Sequence, residues 1–475
     1  MKAAMTLQGL TLSALVMALS ACQVGHDFQA PKATTQVDWL PTQGEQGASR
    51  PQATPIKERW WEVFNDPLLS SLIDRATSAN LDLKIATTRM EQSRSARQVV
   101  AGDQLPSVSA GMGYQRARNS GEGLSDPSGN NGKSAFNLWD GGLDAFWEID
   151  LWGRVKREVE AADASVAVAD NDRRGVLLSL QAETARDYLQ LRGVQDTLAV
   201  TRDNLEVSRN SLELSKVRLA SGVATHLDVA EASAQVATVE ARLPLLEQRQ
   251  AQLINALSLL LAQQPRTLQA ELSRPAQRAP LPAAIPVGLP SELAQRRPDI
   301  RQAEARMHVA AASVGVAEGD FYPRIVLSGN VGFQSLQLAD FGSWGSRTFG
   351  IGPQLSLPIF EGGRLRGMLH LREAQEQEAA LNYQKTVLRA WQEIDDSMSL
   401  YNASQLQQRK LEDAVQHNQI ALSTAKEQYK AGAVDFVNVL TVQRALLASQ
   451  EQFVDSSTAQ TLALVGLYTS LGGGW

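Results

Sequence analysis

Four stretches of the chain alternate apolar and polar side chains with a period of two, the pattern of a strand with one covered face. In 106–114, Val108, Ala110, Met112 and Tyr114 share one side and Ser107, Ser109, Gly111 and Gly113 the other. In 143–151, Leu143, Ala145, Trp147, Ile149 and Leu151 oppose Asp144, Phe146, Glu148 and Asp150. In 323–333, Ile325, Leu327, Val331 and Phe333 oppose Arg324, Ser328 and Asn330, and in 349–359, Ile351, Leu355, Leu357 and Ile359 oppose Gly350, Gly352, Gln354 and Ser356. Pro353 lies inside the last stretch and cannot donate a ladder hydrogen bond, which predicts a bend or break there.

Each stretch has about the nine to eleven residues that a tilted strand needs to cross a bilayer. A half-buried sheet of a water-soluble domain would alternate in the same way. The arrangement favours the membrane, because the stretches pair as two hairpins whose tips, 116–135 and 335–346, are predicted as flexible polar loops.

Elsewhere the period changes to steps of three, four and seven. Val387, Trp391, Ile394, Met398 and Tyr401 form one seam, continued by Leu411, Val415, Leu422, Ala425 and Tyr429, while Leu198, Leu205, Leu212 and Leu219 recur every seventh residue. No proline occurs from Gly363 to Trp475. A helix over 364–431 would span on the order of 100 Å at ~1.5 Å per residue, comparable to the depth of a bacterial periplasm.

The chain is also internally duplicated. Gly222 and Gly432 are 210 residues apart, as are Val229 and Val439, and Gly153-Arg154 and Gly363-Arg364. "GDQLPSVSAGMGYQ" from Gly102 matches "GDFYPRIVLSGNVGFQ" from Gly319 at an offset of 217, so seven residues were gained or lost in between. A repeat this long means two large halves and not a solenoid. Each half reads strand, loop, strand, long helix, glycine turn, return helix. "ASGVATHLDV" and "KAGAVDFVNV" are the two turns, with Gly222 and Gly432 suited to positive φ and Thr225 or Asp435 suited to cap the returning helix.

At 475 residues with 6% aromatics and 34 glycines, the chain is poor material for several globular cores. A net charge of −6 without a basic stripe argues against a nucleic-acid partner. Lys2 followed by "LTLSALVMALSAC" suits an export signal too short to span a membrane. Leu19-Ser20-Ala21-Cys22 has the form of a lipoprotein cleavage site, after which Cys22 would carry a thioether lipid and an N-acyl chain. The other reading is a signal peptide that happens to end in cysteine. Lipidation also accounts for a lone thiol in an oxidising compartment, and Gln23, in place of Asp, points to the outer membrane. No other apolar run reaches the ~20 residues of a spanning helix, so any membrane crossing must use strands.

Four strands cannot close a barrel, and an open edge in lipid leaves backbone groups unsatisfied. The chain must therefore oligomerise. A dimer would give eight strands with a filled interior, whereas a trimer would give twelve and leave a passage, which favours the trimer.

Catalytic patterns are missing from the sequence: no G-x-x-x-x-G-K-[ST], no H-E-x-x-H, no G-x-S-x-G. His26, His226, His308, His370 and His417 have no ligand spacing. The expectation is no enzyme, no metal and no cofactor other than the covalent lipid.

Several segments together resemble the TolC-like outer-membrane efflux proteins, in the lipoprotein branch that serves RND-type multidrug pumps. They are "WWEVFNDPLLSSLIDRATSANLDL" at 60–83, "FWEIDLWGRVKR" at 146–157, the run 289–333, "LPIFEGGRLRG" at 357–367 and the terminal "LGGGW". The resemblance implies a homotrimer with a twelve-stranded barrel, a periplasmic helical tunnel, and an equatorial belt from 23–75, 264–298 and 455–475. It divides the chain into a signal peptide (1–21), a lipidated segment entering the equatorial domain (22–75), a first repeat (76–263), a connector (264–298) and a second repeat (299–475). It further implies an outer-membrane exit duct, passive and shut at its periplasmic tip until a membrane-fusion adaptor and an inner-membrane pump engage it.

By position Tyr429 matches a gating tyrosine. Val434, Asn438 and Thr441 stand where well-known members carry an arginine and two aspartates. The first repeat offers Asp228 and Glu231 at the equivalent places, with Asp435 near the second turn. Three copies of these carboxylates would make a cation-favouring constriction, or they are an N-cap and a solvated helix face. His226 is either a pH sensor or an exposed side chain. Alternative functions are a type I secretion or metal-efflux duct, and a lipid-anchored periplasmic coiled-coil adaptor.

Overall fold

The computed structural model describes residues 24–31, 50–52, 57–122, 132, 134–274, 284–286 and 296–473. Cys22 lies outside the described residues, as does 123–131 of the first hairpin tip. In chain order the first half comprises β1 (Arg50–Gln52), α1 (Pro67–Ala79), α2 (Leu81–Gly102), β2 (Ser107–Ala117), β3 (Phe136–Glu148) and the long α3 (Arg154–Ala220). It continues through α4 (His226–Glu240), α5 (Leu243–Leu260), the short α6 (Gln269–Leu272) and β4 (Ala284–Pro286). The second half contains α7 (Pro298–Gly319), β5 (Arg324–Ser335), β6 (Arg347–Ser356), α8 (Arg364–Lys430) and α9 (Phe436–Ser470).

The duplication extends to the ends of the elements. Helices α2 and α7 are offset by 217 at both ends, and β2 and β5 start 217 apart, whereas α3 and α8 are offset by 210 at both ends. The seven residues are thus lost between the hairpin strands, in 118–135 against 336–346. Gly153 and Gly363, each before a long helix, have φ of 79° and 87°, which explains the repeated Gly-Arg: a residue without Cβ makes the entry turn. In the first half the return path breaks into α4 and α5, because Pro244 stands in the first turn of α5 and lacks the N–H that a continuing helix needs. At the equivalent place α9 has Val454 and runs on unbroken.

Two compact units emerge. The first gathers 1–31, 89–169 and 302–383 and holds an antiparallel sheet in the order β2-β3-β5-β6. Its register puts the apolar positions of all four strands on one face: Ala110 pairs with Leu143, Leu143 with Val331, and Val331 with Phe349. Met112, Phe349 and Ile351 on that face are more than 70% exposed in the single chain. The outermost strands, β2 and β6, each leave one edge unpaired among the described residues.

Three strand expectations are corrected. The second strand begins at Phe136, not at 143, because Asp140-Gly141-Gly142 hides its alternation. A Cβ on Gly142 would stand 2.5 Å from the Val331 carbonyl oxygen, so glycine there permits close approach of β3 and β5. The fourth strand spans 347–356 and pairs through Pro353 with Leu327, uninterrupted, since an edge strand tolerates proline. Leu357 and Ile359 lie beyond it. The second tip is not a plain polar loop: single 3-10 turns at Leu338–Asp340 and Trp344–Ser346 order it, and the Arg347 guanidinium lies 3.5 Å from the Trp344 ring centre.

The second unit gathers 32–88, 170–301 and 384–475. Its core packs Trp60, Trp61 and Phe64 and the α1 residues Leu69, Leu72 and Ile73 against Tyr188, Ile254, Ile394, Tyr401 and Leu464. Each such aliphatic side chain contributes about 1.5–3 kcal/mol on burial. Asp66 caps α1 by accepting from Leu68 N–H (2.9 Å) and Leu69 N–H (3.1 Å), and also accepts from the Tyr188 hydroxyl (2.6 Å). Distant segments meet in this unit. β1 pairs in parallel with β4, Tyr468 stacks 5.5 Å from Trp60, and buried Arg297 donates to the Ser470 carbonyl oxygen. The long helix expected over 364–431 is α8, ending one residue earlier. Among the described residues no helix is long and apolar enough to cross a membrane.

Candidate functional site

The two glycine turns belong to the second unit, and both are built alike. Helix α3 ends with Gly222 at φ 74° and α8 with Gly432 at φ 76°. Gly222 N–H donates to Leu219 O (2.9 Å) and Val223 N–H to Arg218 O (2.9 Å); Gly432 N–H donates to Tyr429 O (3.0 Å) and Ala433 N–H to Gln428 O (2.8 Å). These are paired Schellman closures, which satisfy the last helical carbonyls.

The returning helices start differently. Thr225 accepts from Asp228 N–H (3.2 Å), and Asp228 Oδ2 accepts from the Thr225 N–H (2.8 Å) and hydroxyl (2.9 Å), a complete capping box on α4. Asp435 occupies the N-cap of α9, but its side chain makes no capping bond, contrary to expectation. The third residue of that helix is Asn438, with no carboxylate to close the box.

Behind the turns, Tyr429 is buried with Leu422, Ala425, Phe436, Val439, Leu440 and Ala232. Its ring lies 5.4 Å from Phe436. Arg218 covers the other side: its guanidinium stands 4.3 Å from the Tyr429 ring centre and Nη1 donates to the Tyr429 carbonyl oxygen at 3.0 Å. Burial pushes the Tyr429 phenol up from its ordinary value; the Arg218 charge opposes the shift and the Asp228 charge adds to it. The turn of one repeat therefore grips the helix end of the other.

The structure thus brings Asp228, Tyr429 and the unforeseen Arg218 into one electrostatic cluster. Glu231 is half-buried and its Oε2 is enclosed without a hydrogen-bond partner among the described residues. Asp435 and Asn438 are exposed on α9, and Thr441 turns its hydroxyl back to the Val437 carbonyl oxygen (2.8 Å). His226 is exposed. Arg218 occupies the position of Gln428 in the other repeat, so the offset itself marked a cation without a counterpart.

Further along, α9 makes polar contacts with α3 and with the α4 segment, buried at Gln443. Asn204 donates to Gln450 (2.8 Å), and Gln443 donates to Ser208 (2.8 Å) and accepts from Ser211 (3.3 Å). Arg444 bonds Gln235 at 2.7 Å, and Arg242 pairs with Glu451. Such satisfied polar pairs fix the register of neighbouring helices. No group of three His, Cys, Asp or Glu side chains suited to a metal occurs among the described residues.

A family model described as "Outer membrane efflux protein" matches residues 72–263 and 289–473. Outer membrane protein OprJ of Pseudomonas aeruginosa is 32% identical over 467 residues, covering 98% of this chain and 96% of that protein. Toluene efflux pump outer membrane protein TtgF of Pseudomonas putida is 33% identical over 470 residues, 97% of this chain and 96% of its own. The solved outer-membrane channel OprN superposes with a TM-score of 0.88 at 32% identity, covering 96% of this chain and all of that one.

Proposed function

The chain belongs to the outer membrane efflux protein family, and from that premise we propose that three copies pair β2 with β6 around a ring to make a twelve-stranded barrel. Members of the family are outer-membrane channel proteins, and this protein is an outer-membrane exit duct of an efflux pump that extends into the periplasm. In the proposed assembly the duct is passive, and an inner-membrane pump of the RND type and a periplasmic membrane-fusion adaptor supply force and selectivity. Its cargo is drugs, solvents and other small toxic compounds, the class suggested by the relative named for toluene efflux. Cys22 carries the lipid anchor, and the Arg218–Tyr429 cluster closes the periplasmic tip.

One observation carries this reading: a sheet with a continuous exposed apolar face and two open edges. That surface is stable only when lipid covers the face and neighbouring strands complete the edges. One cysteine on β2 and one on β6 of the same chain, at positions that would face each other between copies, test it. Oxidation should link copies edge to edge in a ladder ending at three; a ladder ending at two would overturn the twelve-stranded ring.

A further inference from the structure

Residues 24–31, the first described segment after Cys22, are fastened to the first unit by a clasp centred on Arg157. This arginine is only 2% exposed although it sits at the start of a helix. Its Nε donates to Val24 O (3.2 Å), Nη2 to Gly25 O (2.9 Å) and to Asp27 (2.8 Å), and Nη1 to Glu160 (2.7 Å). Three of these four bonds go to the segment and not to the helix's own neighbours. Val24 N–H in turn donates to Trp152 O at 3.0 Å. Downstream, His26 bonds Glu376 (2.9 Å), and Phe28 stacks flat on His308, 4.5 Å between ring centres, while His308 bonds Glu160 (2.9 Å).

Glycines make room for the clasp. Gly25 has φ 85°, and a Cβ there would stand 2.7 Å from the Gly315 Cα; a Cβ on Gly315 would stand 3.0 Å from the Arg157 side chain. Burying a guanidinium is costly unless its donors are met, and here the chain's N-terminal segment meets them. A flexible tether would need none of this.

The place of the clasp matters. Trp152 donates its ring N–H to Pro323 O (2.9 Å) and packs 5.1 Å from Tyr322, at the helix-side end of β3 and β5. Amphipathic aromatic rings of this kind collect at the membrane–water interface of barrels. Two residues of chain reach at most about 7 Å, so a lipid on Cys22 would have to lie within that reach of Val24, whose N–H bonds Trp152 O.

Resting on the reading of Cys22 as lipidated, we propose that Arg157 is a positioning residue for the lipid anchor, clamping residues 24–27 so that the acyl chains enter the bilayer beside the base of the sheet. A lysine could not replace it, since one ammonium cannot reach Val24, Gly25, Asp27 and Glu160 together.

The test uses the full mature protein with a nitroxide on Gln29→Cys, and its rate of insertion into phosphatidylethanolamine–phosphatidylglycerol vesicles. The acylated wild type should show an immobilised label and insert about tenfold faster than Cys22→Ser. Arg157→Ala, Arg157→Lys and Gly25→Ala should free the label and lose that advantage while remaining acylated. Gly25→Ala leaves the buried arginine in place, so it answers the question even if Arg157→Ala folds poorly. In the Cys22→Ser background none of the three should slow insertion further, whereas an arginine needed only for folding would slow it again. A freed label with the full rate advantage retained would overturn the proposal. Absence of acyl mass on Cys22 would overturn the premise, and is read separately by mass spectrometry.

Discussion

The guanidinium of Arg218 lies over the ring of Tyr429, 4.3 Å from its centre, and the same group bonds the Tyr429 backbone at 3.0 Å. A cation–π contact and a charge-assisted hydrogen bond are together worth about 2–3 kcal/mol in a partly desolvated site. Arg218→Ala is therefore expected to raise the frequency of channel opening in planar bilayers by about tenfold or more, with Arg218→Lys in between. Unchanged opening in the alanine variant would overturn the proposal that this pair closes the tip.

The two returning helices should respond unequally to loss of their N-cap residues. Thr225→Ala is expected to cost about 1 kcal/mol, because it abolishes a formed capping box, and Asp435→Ala less than half of that. Thermal unfolding of the two variants side by side measures the difference.

Alanine at Gly222 or Gly432 meets no neighbouring atom within 4 Å, so its cost is that of a left-handed backbone alone. Each change should lower stability by about 1 kcal/mol and by similar amounts. A much larger loss at one of them would point to a contact made only in the assembled protein.

Burial, reinforced by Glu183 and opposed by Arg186 and Arg249, pushes the Asp187 carboxyl up to about 6. An unfolded aspartate titrates near 4. Between about 4 and 6 the folded chain keeps a proton that the unfolded chain has lost, so stability falls as pH rises through this window and stays reduced above it. Asp187→Asn should gain about 1–2 kcal/mol at pH 8, after allowance for solvent screening, and nothing at pH 4. Melting curves at the two pH values decide it.

Cells lacking the protein should become more susceptible to chemically unrelated dyes, detergents and antibiotics. Unchanged susceptibility, with altered metal tolerance or protein secretion instead, would favour a different cargo for the same duct.

Much of the fold was legible because its signals are local. The proline-free run after Gly363 and its seam in steps of three, four and seven bounded α8 to within a residue, and the alternating stretches gave both hairpins. What escaped was fixed by partners remote in sequence. The start of β3 was masked by glycines required where two strands approach closely. Arg218 meets Tyr429 from 211 residues away, and Arg157 meets Val24 from 133, distances over which a single sequence carries no periodicity to read. The turn glycines and the Thr225 cap could be named in advance, since backbone geometry and capping depend on near neighbours, whereas the cap expected of Asp435 does not form.

The apolar sheet face has a consequence for the life of the newly exported chain. Before it meets lipid and other copies of itself, it carries Met112, Phe349, Ile351 and Leu355 into water beside two unpaired strand edges. Such a surface is a template for aggregation. A chain transferred into water without lipid or detergent is therefore expected to clump through that face, which light scattering of the refolded protein would register, and detergent should prevent it.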